Sequence, residues 1–210
     1  MTRLDEKGAG VMFKRSVRTF SALVFVLVAG CSQPELPKDN YYRLQVTRPD
    51  APLPKPVIKG VVEVERFVAD GLTAGRPIVY SDSSKPLELR AYHYHFWTEP
   101  PVIMLRDQLV DYMRHSNIAD LVVTPDMRKT PDYILTARIK RLEKVIDATP
   151  KGIVEVELSL KKELSGDIVH LANYRIEVGA RSKSVSEAVV AMNRALSDIY
   201  DKFVGNLKKL

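Results

Sequence analysis

The sequence predicts an α+β fold: a single domain in which one mixed, largely antiparallel sheet carries two main helices, at about residues 100–115 and 185–207. Three observations predict it. Apolar and polar residues alternate with period two, as in Val154-Glu155-Val156-Glu157-Leu158, in several segments bounded by Gly, Pro, Asn, Asp and Ser. Two longer segments carry their apolar residues at helical spacing instead. Strands fall in two sets, each followed by a helix, and no period of roughly 20 to 50 residues repeats as a solenoid would require.

Each element has a local reason. Ser32 to Asn40 (SQPELPKDN) is polar, with two prolines, and reads as a short tether. Tyr41 to Thr47 predicts a first strand. Arg48 to Pro56 holds four prolines and must be extended loop, because proline fixes φ and removes an N–H donor. Val61 to Val68 sets Val62 and Val64 against Glu63 and Glu65, the pattern of a strand with one wet face. Ile78 to Tyr80 and Leu87 to Trp97, joined by the turn-rich SDSSKP, predict a hairpin.

Thr98 stands where it could cap a helix, Pro100 and Pro101 suit a first turn, and Met104, Leu105, Leu109, Val110 and Met113 form an apolar stripe that Ser116-Asn117 should end. Leu121 to Thr124 is a short strand. In the long run from Tyr133 to Val145 the apolar residues change parity between Ile139 and Leu142, which predicts a bulge near Lys140-Arg141. Turns at Thr149 to Gly152 and Ser165 to Asp167 then fold the strands around Val154 to Leu160 and Ile168 to Ala180 into an antiparallel meander. Ser184 and Glu187 have capping-box spacing, and Ala188, Val189, Met192, Leu196, Ile199, Phe203 and Leu207 draw the stripe of a long amphipathic helix.

The first 30 residues read as an export signal. Lys14, Arg15 and Arg18 form a basic n-region, Phe20 to Val28 an apolar h-region, and Ala29-Gly30 the small residues before a cleavage point. Asp5 and Glu6 do not suit an n-region, whereas a start at Met12 gives a regular one. An apolar run of nine residues, Phe20 to Val28, cannot cross about 30 Å of hydrocarbon at about 1.5 Å per residue. Val28-Ala29-Gly30-Cys31 resembles the bacterial lipobox, in which the cysteine is acylated and becomes the mature N-terminus. The organisation expected is therefore a lipoprotein signal peptide at 1–30, a lipidated tether at 31–40 and a periplasmic domain at 41–210.

Cys31 is the only cysteine, so the mature domain can have no catalytic thiol, disulfide or Cys-rich zinc site. Ser32, rather than Asp, follows it; in Gram-negative lipoproteins that resemblance implies sorting to the outer membrane with the domain facing the periplasm. Removing the signal lowers the formal charge from +6 to +3, with 27 basic against 24 acidic side chains. So mild a balance does not point to nucleic acid.

Residues 91–101, AYHYHFWTEPP, hold the most distinctive chemistry. On a regular strand His93 and His95 would share one face and Tyr92, Tyr94 and Phe96 the other. A metal would need a third ligand, and His115 and His170 lie on other elements, so packing or partner contact is expected of Tyr92, Tyr94, Phe96, Trp97, Glu99 and Pro100. Asp107 and Asp111 beside Arg106 and Arg114 read as a solvated helix face. No metal or other cofactor is expected.

The lipobox, the early YYRL at Tyr41 to Leu44, the strand VVEVERF, the aromatic strand ending in Trp97 and the start Trp97-Thr98-Glu99-Pro100 resemble the ABC-type transport auxiliary lipoprotein family, the PqiC-like lipoproteins. The two histidines before Trp97 depart from the family's usual pattern. The resemblance implies a non-catalytic outer-membrane component of an intermembrane phospholipid transport system, partnered by a periplasmic MCE-domain tunnel protein and through it an ABC permease and ATPase. It implies that the domain docks the tunnel and supports outer-membrane integrity; because such tunnels are oligomeric rings, a homo-oligomer that matches their symmetry is expected. The chain fits by what it lacks, having no phosphate-binding P-loop, no G-x-S-x-G elbow and no H-E-x-x-H. Two other readings stand beside it: a structural or regulatory envelope lipoprotein that binds a peptidoglycan-synthesis or Tol-type partner, and a periplasmic hydrolase built from scattered Ser, His and Asp.

Because Cys31 is the only thiol, Cys31→Ala is expected to leave an unprocessed precursor in the inner membrane that takes up no labelled palmitate. Label retained by the variant would refute the anchor.

Overall fold

The strand Tyr133–Ile146 is the hub of a mixed sheet in the computed structural model, which describes residues 37–209. The expected signal peptide, Cys31 and the expected tether up to residue 36 lie outside the described residues. Among the described residues the sheet has nine strands: β1 (Asn40–Tyr42), β2 (Ile58–Val64), β3 (Val68–Ala69), β4 (Pro77–Asp82), β5 (Lys85–Trp97), β6 (Ala119–Val123), β7 (Tyr133–Ile146), β8 (Lys151–Lys162) and β9 (Ile168–Gly179). One edge of β7 takes β2, β3 and β4 in succession, all parallel to it. The other edge carries β8 and then β9 as the expected antiparallel meander. Beyond β4 lie β5, antiparallel, and the short β1, parallel; beyond β2 lies β6. The α+β fold expected from the sequence is the fold observed.

The bulge in β7 is where the parity change placed it. Ile139 pairs with Val156 and Arg141 with Glu155, so Lys140 is the extra residue. Side chains on a strand alternate between faces, so one inserted residue exchanges them. Leu135, Ala137 and Ile139 before the bulge and Leu142 after it therefore all join one core, at 7% exposure or less.

Helices α1 (Pro101–Ser116) and α2 (Val185–Leu207) cover that face. Both contribute their apolar stripes to the core, and the buried Tyr200 hydroxyl of α2 donates to the Leu105 carbonyl of α1 at 2.7 Å. Asn117 ends α1 in the left-handed region (φ 54°), its N–H donating to the Met113 and Arg114 carbonyls. The α2 helix comes so close to β8 that a Cβ on Gly152 would lie 2.9 Å from the Ala188 carbonyl oxygen and the Met192 nitrogen.

Three local expectations are corrected. The first strand stops at Tyr42 rather than Thr47, because the chain beyond it lies across both helices. There Leu44 and Val46 are buried, and the N–H groups of Gln45, Val46 and Thr47 donate to Asn193 Oδ1, Gln108 Oε1 and Ser197 Oγ at 3.0, 2.8 and 3.0 Å. The segment is a strap whose hydrogen bonds go to helix side chains instead of a neighbouring strand. The Val61–Val68 strand begins earlier, at Ile58, and breaks after Val64, because Phe67 turns into the core at 1% exposure. Neither expected N-cap holds in full. Pro100 precedes α1 without a side-chain cap, and Thr98 Oγ1 contacts Met104 Sδ instead. Ser184 caps the Glu187 N–H at 3.2 Å, but its own N–H donates to Ser182 Oγ, so the box is half closed.

Gly152→Ala is expected to cost about 1–3 kcal/mol in denaturant unfolding, because rigid helix backbone blocks the added methyl. Gly179→Ala, where a Cβ meets nothing within 4 Å, serves as the comparison and should shift stability far less.

Candidate functional site

The aromatic strand is irregular, and the irregularity decides where its side chains point. Val79 of β4 pairs with Ala91, yet Pro77 pairs with Phe96, so β5 takes five steps while β4 takes two. This second bulge overturns the face assignment expected for a regular strand. Tyr92 and His95, three residues apart, meet ring to ring at 5.3 Å. Tyr92 also lies 4.4 Å from Tyr80, and His95 Nδ1 shares a 2.9 Å hydrogen bond with the Tyr42 hydroxyl. Lys144 enters the same cluster from β7, its Nζ 3.1 Å from the Tyr92 hydroxyl, 5.5 Å above that ring, and bonded to the Lys183 carbonyl before α2.

Burial governs the electrostatics here. It lowers the Lys144 ammonium from its usual pKa and raises the Tyr42 and Tyr92 hydroxyls, the latter aided by Tyr80. His95 is lowered by burial and then by the charge of Lys144. A lysine and a histidine enclosed with tyrosines make a packed polar joint.

Trp97 ends the strand in the core at 1% exposure, and its backbone ties three segments together. Its N–H donates to the Arg76 carbonyl at 2.7 Å, its carbonyl accepts from Arg76 Nε at 3.1 Å, and the Thr98 N–H donates to the Tyr42 carbonyl at 2.8 Å. Glu99 is exposed and Pro100 partly so. Tyr94 points outward at 45% exposure. Phe96 stacks on Tyr41, centroids 5.8 Å apart, with the Arg76 guanidinium 5.6 Å above the Tyr41 ring. The expected contact residues thus divide, with Tyr92 and Trp97 facing inward and Tyr94, Phe96 and Glu99 toward the surface.

The histidines do not converge. His93 is exposed, His95 bonds Tyr42, His115 Nδ1 lies 2.7 Å from the Asp111 carbonyl, and His170 Nε2 bonds the Tyr174 hydroxyl at 2.9 Å. Among the described residues no group of three or more His, Cys, Asp or Glu side chains is placed to hold a metal. On α1, Arg106 pairs with the adjacent Asp107 at 2.7 Å, as a solvated face allows.

A second surface escaped the sequence reading. On the sheet face away from the helices, β4, β5, β7, β8 and β9 border an open cleft of about 540 Å³. Val145 and Ile153 form its apolar floor, and Leu87 and Leu89 of the β4–β5 hairpin stand at its margin, Leu87 at 99% exposure. Around them runs a charged rim. Arg141 pairs with the buried Glu143, which also accepts from Ser81 Oγ at 3.2 Å, and Glu177 accepts from Lys151 and Arg175 at 2.6 Å each. Those two hydrogen bonds hold the Glu177 carboxyl below its usual pKa. The sequence signal was the alternation Leu87-Glu88-Leu89-Arg90, read only as a strand pattern.

The family model of the ABC-type transport auxiliary lipoprotein component matches residues 42–203, from β1 to the last turns of α2. The chain belongs to that family. It is therefore an auxiliary, membrane-anchored lipoprotein component of ABC-type transport. The fold is similar to that of protein XCC0632 from Xanthomonas campestris, with a TM-score of 0.69 at 21% identity, covering 79% of this chain and 93% of that one. It is also similar to an uncharacterized protein, with a TM-score of 0.61 at 16% identity over 82% and 97% of the two chains. No curated protein matches the chain in sequence.

Two outcomes follow from the inner cluster. Trp97→Ala should cost about 3–5 kcal/mol in denaturant unfolding, as for other fully buried large aromatics. Stability should also fall on mild acidification, because His95 and His170 both have lowered pKa values in the folded state and the unfolded chain binds their protons first. The contribution is complete above the ordinary value of 6.5 and is lost as pH falls from there through the lower folded values. A His95→Gln, His170→Gln double variant should flatten that slope between about pH 7 and pH 5; an unchanged slope would assign it to other groups.

Proposed function

We propose that this domain, held by an acylated Cys31 at the periplasmic face of the outer membrane, docks a periplasmic MCE-domain protein and so completes an intermembrane phospholipid path without catalysing a reaction. The observation that carries the reading is the open cleft with its exposed leucine margin and charged rim. An open, shallow concavity suits a protein surface better than an enclosed small molecule. Family membership supports the transport role, Val28-Ala29-Gly30-Cys31 supports acylation and Ser32 supports the outer membrane.

In this mechanism the partner supplies the hydrophobic tunnel and, through its permease and ATPase, the energy. The anchored domain receives the tunnel's end, so that phospholipid reaches the membrane without crossing water. Burying the fully exposed Leu87 would contribute about 1.5–3 kcal/mol and the 43% exposed Leu89 less, while the paired charges around them set register and suppress wrong partners. Self-association into a homo-oligomer that matches a ring-shaped partner would let such weak contacts add.

Leu87→Asp with Leu89→Asp should lower the melting temperature only slightly, because Leu87 is 99% and Leu89 43% exposed, and should weaken co-purification of the MCE protein roughly tenfold or more. The same cells should become sensitive to detergent. Full retention of the MCE protein by this variant would refute docking at the cleft. Recovery of a Tol-type or peptidoglycan-synthesis protein in its place would favour the structural reading.

A further inference from the structure

We infer that the β1 edge of the sheet is a membrane-contact surface, with Tyr41, Tyr94 and Phe96 resting in the phospholipid headgroup layer and Arg76 among its phosphates. The inference rests on the acylated-anchor reading and goes beyond it, because an acyl chain fixes distance but not orientation. Reach is the first argument. Nine residues, Ser32 to Asn40, separate Cys31 from Tyr41, and fully extended they span about 30 Å. A domain of this length has a radius of gyration of about 15 Å and is therefore about 40 Å across. Tyr41 cannot lie on the side of the domain opposite the membrane.

The side chains supply the second argument. Tyr41 and Tyr94 are 56% and 45% exposed, whereas their neighbours Tyr42 and Tyr92 are turned inward and hydrogen-bonded. Rings with an apolar body and a polar tip concentrate at membrane interfaces. The exposed Arg76 lies over the Tyr41 ring, with exposed Lys38 and Arg43 on the same stretch of chain. Against these three cations stand two exposed acidic residues, Asp39, which accepts from the Tyr41 hydroxyl at 3.3 Å, and Glu99, which borders Arg43. Aromatics flanked by an excess of cations complement a phospholipid surface of zwitterionic and anionic headgroups.

Energetics make a small patch sufficient. The anchor holds the domain at the surface, so the patch needs only to choose one orientation over others at high effective concentration. A sheet standing on its β1 edge presents β5, β4 and β7 upward from the bilayer, and the cleft that begins at Leu89 then opens beside the membrane.

The test uses the full mature lipoprotein, with acylation of Cys31 verified by mass, reconstituted in vesicles of phosphatidylethanolamine and phosphatidylglycerol. Tryptophan is introduced by Tyr94→Trp or, as comparison, by Leu164→Trp at the exposed β8–β9 turn. Relative to the parent protein, whose Trp97 is common to both variants, lipid brominated near the headgroup end of its chains should quench the Tyr94→Trp protein more strongly and the Leu164→Trp protein no more. Equal emission of the acylated Tyr94→Trp protein in brominated and plain vesicles would overturn the membrane contact and leave the anchor standing. Shielding of position 94 from aqueous quencher that grows with protein density, without bromine quenching, would assign the edge to a second copy and also overturn it. Protein lacking the acyl mass would overturn both readings together.

Discussion

The extra residue at Lys140 is the constraint on which the rest of the structure depends. A strand serves two faces by strict alternation, and β7 has to place Leu135, Ala137, Ile139 and Leu142 under the helices. Without the insertion Leu142 would turn to the free face and the groups now there would enter the core. With it, Arg141, Glu143 and Val145 line the cleft, while Lys144 reaches inward to Tyr92. One bulge thereby separates a helix-covered core from an open, mixed-charge surface, and both are continuous with strands on either edge of β7.

The second bulge, in β5, does related work at the N-terminal side. By bringing His95 to the face of Tyr92 it lets Tyr42 bond His95, and so docks β1 on the body of the sheet. The Trp97 and Arg76 backbone bonds and the strap of Leu44 and Val46 across the two helices complete that attachment. The stretch that follows the anchor sequence is thus fixed to both the sheet and the helices.

Much of this was legible from the amino acids because it rests on periodicity. The parity change in Tyr133–Val145 located the β7 bulge, the meander followed from turns at Pro150 and Gly166, and the α2 stripe named the residues that are now buried. The strap was not legible, since Leu44-Gln45-Val46 alternates as a strand does and only Gln108, Asn193 and Ser197, brought near by the fold, distinguish the two. The bulge in β5 was hidden for a different reason. AYHYHFW is aromatic on every parity, so no change of pattern marks the inserted residues. The cleft needed five strands to assemble, and its residues are spread from Ser81 to Glu177.

The account turns on the free face of the sheet, not the helices, as the surface that meets a partner. Photo-crosslinking in intact cells tests this most directly, with a benzophenone side chain placed at position 87 on the cleft margin or at position 190, where Val190 is 40% exposed on α2. The account predicts a crosslink from position 87 to an MCE-domain protein and none from position 190. A crosslink to that protein from position 190 alone, or a partner at position 87 unrelated to lipid transport, would contradict it.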